Sequence, residues 1–75
     1  MMDFTKALEL IKIGDKLARI DWRGTGMYVT VCNTPDFQPF VYIKTSEGTT
    51  VPWLPSQTDL FAKDWEIFKD GWKRI

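Results

Sequence analysis

The side chains that could do chemistry in this sequence are few, and they favour binding over catalysis. There is no histidine to act as a base near neutrality. The lone cysteine, Cys32, has no histidine partner and sits in a strand-like run, so it reads as a small buried hydrophobe. Asp59, Asp64 and Glu66 gather three carboxylates in one region. Paired carboxylates can run glycoside hydrolysis, but here they read as caps and solvated strand charges. Arg23-Gly24-Thr25-Gly26 combines two glycines, whose backbone can approach an anion, with an arginine fork. It lacks the strand–loop–helix setting of the known phosphate loops, and on its own it reads as a hairpin turn. Trp53 lies between Pro52 and Pro55 and is followed by Ser56, Gln57, Thr58 and Asp59. A rigid loop with one large aromatic beside short polar side chains suits a flat, hydrogen-bonding ligand. A well-packed loop with capping residues would have the same composition.

Length and composition restrict the rest. Seventy-five residues make one domain, 1–75, whose core is marginal by itself. One cysteine excludes an internal disulfide, and the absence of histidine argues against structural zinc. Oligomerisation is the remaining support for so short a chain. Ten basic residues balance ten acidic ones, which argues against a duplex nucleic-acid binder. No apolar run reaches a membrane span and no signal peptide is visible. A single free cysteine fits a reducing cytoplasm.

The elements that must position these residues follow from spacing. Asp3 can cap a helix over 4–13, with Phe4, Ala7, Leu8 and Ile11 on one face and Gly14 just past its end. Strands are expected at 16–20, at 27–32, at 40–44, at 49–51 after a turn at Ser46-Glu47-Gly48, and at 64–68. The two prolines disfavour ladder pairing around Trp53-Leu54. Ser56 or Thr58 can cap a short helical turn through Ala62. Leu60, Ala62, Trp65 and Ile67 are expected to pack, and the tail 69–75 with Trp72 to extend the last strand. The fold class is α+β: an N-terminal helix on a small, mostly antiparallel sheet, because the connections are too short for parallel crossovers.

The run Val51-Pro52-Trp53-Leu54-Pro55-Ser56-Gln57-Thr58-Asp59-Leu60, then Ala62 and Asp64-Trp65-Glu66-Ile67, resembles the C-terminal signature of the type-two Thoeris anti-defence proteins of phages. Phe4, Ala7-Leu8, Gly14, Ala18-Arg19, Trp22, Gly24, Gly26-Met27, Lys44-Thr45 and Gly48-Thr49 resemble the family's earlier elements. The resemblance implies a non-enzymatic sponge without cofactor or metal. Such a protein works in the cytoplasm of the infected bacterial host and assembles as a homo-oligomer, typically a tetramer. It holds a cyclic ADP-ribose-type signal, and in some members cyclic oligonucleotides such as cyclic dinucleotides, so that the immune effector stays inactive. On that reading Trp22 and Trp53 stack on or flank the base. Arg23 with the Gly24–Gly26 backbone meets the pyrophosphate, and Met27 lines the wall. Ser56, Gln57, Thr58 and Asp59 bond ribose hydroxyls and base edges. Three departures stand out: arginine at 23 where relatives carry asparagine, a short 33–41 segment, and a tail past the usual end. The competing class is a protein-interaction module that blocks a host protein by contact. A signal-degrading enzyme and a single-strand binder stand further off.

Overall fold

Asp3 starts the first helix as its composition requires: the side chain accepts from the Lys6 amide at 3.0 Å, satisfying one of the donors that a helix N-terminus leaves open. Helix α1 runs Phe4–Lys12 and buries Ala7 and Ile11. Gly14, at φ 102°, takes the left-handed conformation that turns the chain out of the helix. The computed structural model describes residues 2–69; the expected extension through Trp72 lies outside the described residues.

Among the described residues five strands follow: β1 Leu17–Arg19, β2 Tyr28–Cys32, β3 Phe40–Lys44, β4 Thr50–Pro52 and β5 Trp65–Ile67, with the short helix α2, Gln57–Phe61, between the last two. They form one sheet in the order β4-β3-β2-β1-β5, every pairing antiparallel. This is the expected α+β architecture. Helix α1 covers one face, and the core between them is Ala7, Ile11, Leu17, Val29 and Trp65. On the other face Tyr28 packs against Phe68 at 4.8 Å between centroids, with the Lys16 ammonium 4.9 Å from the Tyr28 ring.

Several expectations need correction. Ile20 does not continue β1; Ile20–Trp22 is a 3-10 turn, closed by the Arg23 amide donating to the Ile20 carbonyl at 3.1 Å. Pro52 does not end pairing. It closes β4 opposite Tyr42, and the Trp53 amide still donates to Val41 at 3.0 Å. A proline is tolerated there because β4 is an outer strand with one side unpaired. Ile67, expected in the packed set, is 47% exposed, since β5 is the other outer strand. Cys32 is only partly buried, because it ends β2 instead of sitting mid-strand. An unforeseen bridge at Met2 covers part of β5: the Met2 amide donates to the Trp65 carbonyl at 2.9 Å and the Trp65 amide to Met2 at 3.1 Å.

Candidate ligand-binding surface around Trp65

Trp65 has no exposed surface and three aromatic rings lean on it. Trp22 meets it edge-on at 5.5 Å, Trp53 edge-on at 5.8 Å and Phe4 tilted at 5.6 Å. These are the separations and angles that ring quadrupoles favour. The indole amine donates to the Asp59 carbonyl at 3.0 Å, so the ring is fixed at both its apolar face and its polar edge. The two segments expected to bind ligand, 22–27 and 53–59, therefore converge on one buried side chain.

The first segment is a turn. Gly24 and Gly26 hold φ of 84° and 82°, which a side-chain-bearing residue resists. The Thr25 amide donates to the Trp22 carbonyl at 3.1 Å, and the Met27 amide to the Thr25 hydroxyl at 3.1 Å. With the Arg23 amide bonded to Ile20, alternate amides already have partners inside the turn. An anion approaching the backbone here would meet chiefly Gly24 and Gly26. Arg23 points to β5. Its Nε and one terminal nitrogen donate to the two Glu66 oxygens at 2.8 and 2.7 Å, and this bond raises the guanidinium pKa above its ordinary value.

The second segment is built on a cap. Ser56 and Asp59 form a reciprocal box at the start of α2: the Asp59 amide donates to the Ser56 hydroxyl at 3.1 Å, and the Ser56 amide to the Asp59 carboxylate at 3.2 Å. Of the two caps the sequence allowed, Ser56 is the one used. Ser56, Gln57 and Thr58 are exposed, while Trp53 and Asp59 are partly buried. Trp53 is also 5.8 Å from Phe4, so it belongs to the core margin as much as to the loop. The other oxygen of Asp59 accepts from Arg19 at 2.8 Å.

Arg19 is the functional neighbour that sequence reasoning missed. From β1 it donates to Asp59 and also to both oxygens of Asp64, tying the loop, α2 and the start of β5 to the sheet. Hydrogen bonding to Asp64 holds its pKa up against the opposing effect of burial, with Asp59 adding to it. The available signal was a charged residue on the apolar face of a short strand in a chain whose stretch 59–66 carries three carboxylates. Arg19→Ala should cost about 2–3 kcal/mol, less than the roughly 3–5 of a fully buried pair, because the three side chains retain 14%, 17% and 30% exposure. Urea denaturation measures this. A loss under about 1 kcal/mol would mean that solvent screens the network.

These three carboxylates thus face cations: Asp59 and Asp64 pair with Arg19, and Glu66 with Arg23. Among the described residues no cluster of His, Cys, Asp and Glu could hold a metal ion, and no helix is long and apolar enough to cross a membrane. A separate hollow of about 360 Å³, lined by Cys32, Phe40, Tyr42, Thr50, Val51 and Pro52, shares no residue with the surface around Trp65.

Residues 2–68 match the family model described as a Thoeris anti-defense 2-like domain. The chain is also 32% identical, over 83 residues, to "Thoeris anti-defense 2" of Bacillus phage SP01, an alignment covering 88% of this chain and 93% of that protein. The match runs through both candidate segments and the Trp65 hub between them, and the chain belongs to the Thoeris anti-defense 2-like family.

Proposed function

We propose that this chain is a non-enzymatic sponge. It binds a cyclic ADP-ribose-type signalling nucleotide tightly, does not cleave it, and so blocks Thoeris immunity in the cytoplasm of an infected bacterium. The observation that carries the reading is the convergence of 22–27 and 53–59 on Trp65, in a chain of this family. Trp22 and Trp53 flank the base. Arg23, Gly24 and Gly26 face the pyrophosphate, with Met27 beside them. Ser56, Gln57 and Thr58 bond the ribose and base edges, and Asp59 joins through the lone pairs that its internal bonds leave over. The paired carboxylates support the absence of catalysis, since each is neutralised by an arginine instead of facing an open cleft.

Sequestration at micromolar signal levels needs more than about 8 kcal/mol of binding free energy. A pocket shared between subunits buries more of a ligand than one open surface. Leu54, Phe61, Ile13 and Phe37 are 91%, 78%, 76% and 69% exposed, a large apolar exposure for so small a chain. Both considerations support a homo-oligomer of this one small domain, with a tetramer favoured. Cyclic dinucleotides are the second ligand class, since they share the base and phosphate chemistry.

The test is recovery. The protein is incubated with cyclic ADP-ribose isomers and cyclic dinucleotides, freed of unbound ligand and denatured, and the released material is identified by mass spectrometry. Intact cyclic nucleotide is the expected result. Recovery of only cleaved nucleotide would make the chain an enzyme. If no member of the panel is retained, the exposed apolar side chains point to a protein-contact inhibitor instead.

A further inference from the structure

Arg19 stands at the junction of the two candidate segments. Its backbone, at φ −86° and ψ 154°, ends β1 and starts the 3-10 turn Ile20–Trp22 that leads into 22–27. Its side chain reaches the other segment, where one terminal nitrogen donates to Asp59 at 2.8 Å. A single residue therefore links the two. The guanidinium also lies 6.0 Å from the centroid of the Trp65 ring, whose indole amine donates to the Asp59 carbonyl. Asp59 is thus held at its carbonyl by β5 and at one carboxylate oxygen by β1. Its second oxygen accepts from the Ser56 amide at 3.2 Å, so the hold passes directly into the loop.

The 53–59 segment needs such outside support. Helix α2 has five residues, well below the roughly 12–15 at which an isolated helix keeps its shape in water. None of its residues is fully buried, so packing anchors it weakly. Arginine suits the task because its planar fork serves two carboxylates at once. Nε and one terminal nitrogen donate to Asp64 while the other terminal nitrogen donates to Asp59. The side chain is only 14% exposed, which leaves little of it for a ligand to touch.

We propose that Arg19 is a positioning residue. It holds 53–59 in place against 22–27 before ligand arrives, so the binding surface is preformed and little binding free energy goes to ordering the loop. This role deepens the sequestration reading and rests on it for what is bound. The preformed geometry can be measured on the chain without ligand.

The test variant is Arg19→Lys, which keeps the charge but replaces the fork with a point charge that cannot serve both carboxylates in the same geometry. Hydrogen exchange is followed by NMR in the natural chain and the variant, without ligand. The reporters are the Trp65 indole N–H and the Leu60 amide, which donates to the Ser56 carbonyl at 3.1 Å. The amides of β2, the central strand, report opening of the whole domain. In Arg19→Lys the two reporters should exchange about ten-fold faster relative to the β2 amides. Affinity for cyclic ADP-ribose isomers, measured by calorimetry at a temperature where both proteins are folded, should fall about ten-fold, because the competent arrangement is then only fractionally populated. A merely structural residue would speed all exchange in proportion and leave the affinity of the folded variant unchanged; either result overturns the proposal. Weaker affinity without the local opening would make Arg19 a ligand contact and overturn it as well. Should Arg19→Lys fail to fold, Asp59→Asn weakens the same bond from the other end and keeps an oxygen for the Ser56 amide. The same local opening there supports the proposal, and exchange raised only in proportion to β2 sinks it. A chain that retains no cyclic nucleotide but shows the local opening refutes the sponge alone. One that retains the signal, with exchange ratio and affinity unchanged in Arg19→Lys, refutes the role of Arg19 alone.

Discussion

Trp65→Ala should leave a chain that is largely unfolded at physiological temperature. The side chain is fully buried, three rings pack on it, and its amine is bonded to Asp59. Truncations of this kind cost roughly 3–5 kcal/mol. A domain of this length has about 4–11 kcal/mol in all, so the loss removes much or all of the margin. A drop of about 15 °C or more in melting temperature is expected, measured by circular dichroism. Ligand should not restore the fold at ordinary concentrations, because both segments proposed to bind it lose their common support. Trp65→Phe keeps the apolar contact but not the donor to Asp59, and should fall between the two. A drop of only a few degrees for the alanine variant would mean that the core closes over the gap and that Trp65 is not the hub proposed.

Trp53→Ala carries the second large effect, and the structure changes its meaning. From sequence, Trp53 is a loop residue whose removal should spare the fold and abolish retention of the signal. In the fold it also packs on Phe4 and Trp65, so some stability is lost with it. Stacking of a base on an aromatic ring is worth about 1–3 kcal/mol, so affinity for the retained nucleotide should fall roughly 10- to 100-fold by calorimetry. An edge-on ring contact contributes about 0.5–1.5 kcal/mol beyond area burial, so the melting point should fall by some degrees, far less than for Trp65→Ala. Trp53→Phe separates the two roles: it keeps most of the packing and part of the stacking. Unchanged affinity in a folded Trp53→Ala would remove Trp53 from the site and leave it a packing residue.

The local features of this chain are legible because their causes are local. Asp3 and Ser56 cap helices through bonds that span three residues. Gly14, Gly24 and Gly48 turn the chain at positive φ because glycine has no Cβ to clash. Alternating β-branched and aromatic residues mark β2 and β3, and both are found where expected. The antiparallel α+β class follows from short connections, and Trp65 reads as core from its place in an alternating strand.

Other features depend on which residues meet across long stretches of chain, and no spacing rule encodes that. Arg19 finds Asp59 and Asp64 across 40 and 45 residues, and Arg23 finds Glu66 across 43. Sheet order decides that β4 and β5 are the outer strands. That order is why Pro52 can end a strand and why Ile67, on the expected apolar face, stays half exposed. Trp22, after β1, and Trp53, just past β4, meet one buried indole even though β4 and β5 lie at opposite edges of the sheet. By itself the sequence determined the capped helices, the glycine turns and the chemistry available to a binding surface, because short-range sterics and hydrogen bonding set them. Only the tertiary structure decided that the two candidate segments share one support and that their charges are already paired, because both are properties of side chains distant in sequence and adjacent in space.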